Sequence, residues 1–439
     1  MLRTALLACT VAALACAAGP AAAAPPKAAP PKGAPAKGGQ AKAAPKGPGR
    51  ATVRNDAGFA RAVRALRARG GTIVLLPGHY ERLVVGPRGS APLRIVGTRG
   101  ARIQTLLLDG TRNVTVGHVA IRPYRANAVV EIRESRNIAL HHLHVSAFKT
   151  RWSASVLVAS GVGVTIRSSR FTHCGDRARE FTNCVSLWRW ANRVTIAGNR
   201  FDDCFGCDFV HGRFGAHLTI RNNTFDRALP CRMGKHRCGH NDLVQLFSGR
   251  HLLVEGNRFG VYRQGGAQLY LTNDVDYATI VNNLFRGTDP KVPGYRARMG
   301  IVLGANESKR LPHYAKIVNN TILTGHRRID GYAGSLRMSS RYGAVKRWKR
   351  PIVANNVIAL LEQPARVCNA SQRFVANVVL VGRSCKPWDH VGPVGLEASG
   401  RPRPGSPLVG AANRHYAPKR DQVGRARAGR PSIGALEPR

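Results

Sequence analysis

Three residues near the middle of the chain have the types and spacing for proton transfer: His240, Asp242 and Asp208. If Asp242 lies on a strand, His240 two positions earlier shares its face, and an imidazole beside a carboxylate is an acid/base pair. Asp208 and Asp242 each stand nine residues before a similar histidine-led segment, and Gln268 stands nine before a third segment led by Tyr277. If the three stack in one row, two carboxylates lie about 5 Å apart and one of them is pushed toward its protonated form. Apolar Phe209, Leu243 and Leu269 beside the row are expected to point inward, which turns Asp208, Asp242 and Gln268 outward together with Val210, Val244 and Tyr270. His211 and Gln245 follow three residues after the aspartates. Strict alternation puts them inside, and only a bend would bring them to the same surface. Arg213, Arg250 and Arg263 lie just beyond these strands, where a guanidinium can hold a substrate carboxylate in a bidentate contact. The other reading of the row is a hydrogen-bonded ladder that pins strand register.

The elements that would position these residues come from a repeat. Segments such as NVTVGHVAI from Asn113, RVTIAGNRF from Arg193, HLTIRNNTF from His217, HLLVEGNRF from His251 and YAKIVNNTI from Tyr314 are variants of one nine-residue unit, and ten such units recur at intervals of 21 to 37 residues. Apolar alternation inside each unit means strand, and the variable spacing suits coils carrying loops of different length. Seven successive units place asparagine at the seventh position: Asn199, Asn223, Asn257, Asn283, Asn320, Asn356 and Asn377. Asparagine tolerates left-handed backbone, and its amide can bond its equivalent one layer away. The pattern predicts an all-β parallel solenoid with an asparagine ladder in one turn.

On these repeats the chain resembles the right-handed parallel β-helix proteins of the pectin-lyase-like superfamily, across residues 51–439. The start fits as well, with Phe59, Val63 and Leu66 on a short capping helix before Gly70-Gly71-Thr-Ile-Val-Leu-Leu-Pro77-Gly78-His-Tyr80, and the end does so from Asp421 through Ser432-Ile-Gly434 to Glu437. The resemblance implies a fold and leaves several activities open: polysaccharide lyases, glycoside hydrolases, uronate epimerases and non-catalytic adhesins share it. Lyases of this fold often use calcium, for which Asp202, Asp203, Asp208 and Asp242 are the available acids. The paired-aspartate and Gly-His-Gly pattern of the related hydrolases is matched only in part, by His211-Gly212-Arg213.

Composition narrows the partner. Lys and Arg number 68 against 23 Asp and Glu, a formal charge of +45, which excludes an ordinary charge-balanced enzyme and draws polyanions. Aromatics are 6%, and Trp188 and Trp190 are not interleaved with basic residues as a nucleic-acid stacking series requires, so an acidic polysaccharide is the expected partner and nucleic acid is not. The expected activity is β-elimination or C5 epimerisation of a uronate; the alternative is a non-catalytic glycan-binding or cell-envelope β-helix protein, and on either reading a monomer is expected.

Residues 1–24 read as an export signal and 25–50, rich in Pro, Ala and Lys, as a disordered spacer, so a secreted or periplasmic location is expected, with a lipid anchor at Cys16 as a variant. No later apolar run is long enough to span a membrane. Eight cysteines remain beyond the signal, an even number that suggests disulfides. The expected pairs are Cys231–Cys238, Cys368–Cys385, Cys174–Cys204 and Cys184–Cys207, the last two from coil register. Zinc held by Cys204, Cys207, His236, Cys238 and His240 is the competing use of the same residues.

Overall fold

The computed structural model describes residues 48–439 apart from 123–128, 147–153, 175–182, 189, 230–231, 234–235, 238–241, 261–265, 288–298, 306–311, 325–333, 341–350, 372, 388 and 428. The expected signal and nearly all of the spacer lie outside them. The first strand, Gly49–Val53, begins two residues inside the stretch expected to be spacer and pairs in register with Gly71–Leu75.

Among the described residues thirty-one strands join in one continuous ladder, and each named strand of it pairs in parallel with the strand one coil away. Three columns of strands run along the solenoid. The first extends from Gly49–Val53 to Arg373–Val375. The second includes His144–Ser146, Arg170–Thr172 and Arg200–Asp202 and ends at Val378–Val381. The third includes Val129–Arg133, Val156–Val158, Val185–Leu187, the first part of Val210–Arg221 and of Val244–Glu255, Ala267–Asp276, Met299–Ala305 and Gly334–Ser340. The expected fold is therefore the observed one. Among the described residues no helix is long and apolar enough to cross a membrane.

The nine-residue unit spans the end of a first-column strand, the turn, and the start of the second column. Its asparagines turn inward and form the expected ladder. Each amide nitrogen donates to the Oδ1 of the next layer, from Asn199 to Asn223 at 3.1 Å, Asn223 to Asn257 at 3.0 Å, Asn257 to Asn283 at 3.0 Å and on to Asn377. The same Oδ1 accepts the backbone N–H of the preceding layer's asparagine, so buried donors are satisfied without water. The ninth position supplies a column of stacked rings, Phe171, Phe201, Phe225, Phe259 and Phe285, with centroids 4.4–5.1 Å apart.

The ends are closed differently. Helix Asp56–Ala65, capped by Asn55 Oδ1 accepting from Gly58 N, buries Phe59, with Leu66 just beyond it, over the first coil. At the other end a helix that sequence periodicity did not indicate, Pro364–Ala370, precedes the last two strands. The C-terminal segment lies along the asparagine turn, where the outer, left-handed residues Asn282, Asn319 and Asn355 donate to the carbonyls of Arg420, Ser432 and Asn413.

Cys368–Cys385 is bonded as expected. Two expected pairs are replaced: the structure joins Cys174 to Cys184 and Cys204 to Cys207. Phe171 and Phe201 stack as the register required, but each cysteine is bonded within its own coil's loop, with Cα atoms 5.3 and 5.7 Å apart. A zinc site using Cys204 and Cys207 is set aside by their disulfide. Cys231 and Cys238 fall outside the described residues.

Candidate active site

The third column carries the residues singled out for chemistry, in an arrangement shifted by one position from the expected one. Val210, Val244 and Leu269 are in register with one another and fully buried, in line with Val156 and Val185 on one side and Ile301 and Leu336 on the other. Val210 and Val244, expected outside, are thus core residues. Phe209 and Leu243 just before them are buried as well, because the chain turns a corner there and presents two consecutive side chains to the interior. Alternation restarts after the corner and brings His211 and Gln245 outward, into register with Tyr270.

The outward row reads Ser186, His211, Gln245, Tyr270, Val302 and Arg337 over six successive coils. Adjacent members stand about 4.8 Å apart along the solenoid. His211 keeps 26% of its side chain exposed, Tyr270 is half-buried, and Ser186 and Gln245 are largely covered. Further along the same strands, exposed Trp188 and Arg213 follow Leu187 and Gly212, and Phe247, the extra residue of a bulge between Leu246 and Ser248, meets the His211 ring edge-on at 5.0 Å. Gly212 is needed here. Its φ is 130°, and an added Cβ would lie 1.9 Å from the Leu187 carbonyl oxygen, so a side chain would push the strand carrying His211 away from its neighbour.

The two aspartates sit behind this row, buried at the corner and not outward as expected. Asp208 Oδ1 accepts the backbone N–H of Asp242 at 2.8 Å, and Asp242 Oδ1 accepts that of Ala267. The ladder reading therefore holds for one oxygen of each carboxylate. The other oxygen of Asp208 faces the site, 3.9 Å from His211 Nε2. Asn183 connects Asp208 to Ser186 of the outward row, accepting from Asp208 N and donating to Ser186 Oγ at 3.1 Å.

Gln268 is not in the aspartate row. Ala267 is, because the left-handed residue Asn273 (φ 58°) belongs to a one-residue register shift, and a count back from Tyr277 misses by one. Gln268 points inward, fully buried, and its amide donates to the carbonyls of Gly260 and Arg286. Arg250 is exposed on the far side of the bulge, opposite Ala216 and Asp276 in register. His240 and Arg263 lie outside the described residues.

The four acids considered for calcium fall into two groups. Asp202 and Asp203 lie 3.8 and 2.8 Å from Arg227, whereas Asp208 and Asp242 accept the corner's backbone N–H groups. Ser186, Trp188, Phe247 and Arg337 are not marked as site residues by the sequence. Their strands lie outside the nine-residue unit, and the only signal for them is register carried through the corner.

Burial, with Asp242 beside it, raises the pKa of Asp208 well above 3.8, against the opposing effect of the bond from Asp242 N. A carboxyl whose folded pKa is raised contributes stability that is fully present below its unfolded value and is lost as pH rises through the folded one. Asp208→Asn keeps an acceptor for Asp242 N–H and cannot ionise. The melting temperature of the wild type should therefore fall relative to that of the variant as pH is raised from about 4 to 8. Parallel melting curves across that range would refute a raised Asp208.

A family described as "Right handed beta helix region" matches residues 105–322. The chain is a right-handed parallel β-helix repeat protein. No curated protein matches this β-helix chain in sequence. Among solved structures it is similar to an alginate lyase from Paenibacillus sp. str. FPU-7, at 10% identity and a TM-score of 0.43 over 66% of this chain and 98% of that one. It is similar to the PL6 family alginate lyase AlyGC at 14% identity and a TM-score of 0.46, over 88% of this chain and 58% of that one. PfbA, a surface adhesin of Streptococcus pneumoniae, is similar at 11% identity and a TM-score of 0.35, over 65% of this chain and 85% of that one. These likenesses are of fold alone.

Proposed function

We propose that the β-helix protein cleaves an acidic polysaccharide by β-elimination on the outer face of the third column. The observation that carries this reading is the in-register outward row His211, Gln245 and Tyr270, with exposed Arg213 and Trp188 alongside. His211 takes the proton from C5 of a uronate. The C5–H electron pair forms the C4–C5 double bond as the C4–O4 bond breaks, and the Tyr270 hydroxyl gives its proton to the leaving O4. Gln245 and Arg213 hold the carboxylate on which negative charge develops. The imidazolium formed at His211 faces the Asp208 carboxyl and favours its ionised form. Trp188 offers an apolar face to a sugar ring.

The placement of base and acid favours elimination over epimerisation. Both side chains leave the same face of one sheet, two coils apart, and so approach the sugar from one side. Inversion at C5 needs its second proton donor on the opposite side. A digest in D2O separates the outcomes. Elimination gives unsaturated ends, epimerisation gives deuterium at C5 of an intact polymer, and a polymer that binds yet acquires neither makes this face a binding surface and overturns the proposal.

Arg213→Ala should raise KM several-fold with a smaller change in kcat, and the difference should grow as ionic strength is lowered, where charges on an exposed guanidinium and a polyanion are least screened. Kinetics at two salt concentrations check this. A KM unchanged at both would remove Arg213 from the carboxylate's partners.

A further inference from the structure

The asparagine ladder serves only the later coils. In the earlier coils the equivalent inner positions of the same turn are Val119, Leu143 and Ser169, and the first two have no polar side chain to tie one layer to the next. On the outer side of that turn, in those two coils, sit His118, His141 and His142. His118 and His142 occupy left-handed positions (φ 57° and 51°), and their rings stack at 4.7 Å with 6° between planes. His141 meets both edge-on, at 5.4 and 5.2 Å, and its Nδ1 lies 2.9 Å from Nδ1 of His142. One ring nitrogen from each of the three lies within 4.8 Å of the others. Gly117 makes the space: a Cβ there would fall 2.3 Å from Cε1 of His141, so the ring lies against bare backbone.

We propose that His118, His141 and His142 form a binding site for a divalent transition metal of the zinc type, which clamps two successive coils at a turn that lacks the amide ladder. Imidazole nitrogen is the ligand such ions prefer, and three with an open fourth position make a tetrahedral site completed by water. Two nitrogens on one zinc stand roughly 3.3 Å apart, given bonds of about 2.0–2.1 Å, so small ring rotations at exposed His118 and His142 close the present spread. The cluster joins residues of neighbouring coils, so the metal would act across layers as an asparagine amide does. Burial, then the charge of Arg167, the neighbouring histidines and Arg94, lower the pKa of His141. That shift favours the uncharged ring a metal ligand needs, while the two guanidinium groups weaken the attraction for a cation. A comparable exposed pair, His217 stacked on His251 at 4.9 Å, is continued by Tyr277, which offers no ring nitrogen, and so serves as an internal control.

The test is calorimetric titration of the untagged full-length protein with zinc chloride, beside melting curves with and without the metal. About one equivalent should bind saturably and raise the melting temperature, as any ligand of the folded state alone must. His141→Ala and His142→Ala should each weaken that binding by about tenfold or more and remove the thermal shift. His251→Ala should leave both intact. Absence of saturable binding by the wild type, unchanged binding in both cluster variants, or equal loss in His251→Ala would each overturn the assignment. None of these outcomes depends on activity toward a polysaccharide.

Discussion

His211→Asn should lower turnover of the cleaved polymer by about 10²–10⁴-fold, the range typical of losing a positioned general base, and should leave the melting temperature nearly unchanged. The side chain projects from the outer face of its strand, with the core row of Val185, Val210 and Val244 on the opposite side, so its replacement opens no cavity. Gly212 and the Phe247 bulge fix the strand carrying it, and neither is altered. A variant that melts normally and turns over within a fewfold of wild type would show that His211 is not the base. A variant that loses activity and stability together would make His211 a structural partner of Asp208.

The opposite signature is expected inside the solenoid. Asn257→Ala should cost about 3–5 kcal/mol of unfolding free energy, because several buried groups lose partners at once. Asn257 Oδ1 accepts both the backbone N–H and the side-chain amide of Asn223, and its own amide donates to Ile220 O and to Asn283 Oδ1. No water can replace these bonds at a site with 0% exposure. Denaturant unfolding measures the loss. A cost below about 1 kcal/mol would show that the ladder merely accompanies the turn and does not hold it.

The contrast between these two residues reflects what a repeat reveals. Asn257 was legible because its position in the unit is constant and its chemistry is periodic: an amide bonds to its own copy only if the coils stack in register. The phenylalanine column and the capping helix were legible for the same reason, each being a pattern of residue type against spacing. The site lies on the column of strands that the nine-residue unit does not include. His211, Gln245, Tyr270 and Arg213 were all named from sequence, yet with His211 and Gln245 turned inward and the aspartates outward. A corner that buries Phe209 with Val210, and Leu243 with Val244, breaks the alternation on which orientation was argued. The register shift near Asn273 then displaces Gln268 by one residue. Both are local backbone irregularities with no signature in side-chain type. Two of the disulfides followed the same limit, since adjacency of coils was foreseen and the bonds Cys174–Cys184 and Cys204–Cys207 inside their loops were not.

The most direct measurement of the central claim is ultraviolet absorbance during incubation of the purified protein with alginate, pectate and glycosaminoglycans at low ionic strength. The account predicts a rise on at least one of these polymers, from the C4–C5 double bond of unsaturated uronate ends. Flat traces on every polymer, including those the protein binds, would contradict it.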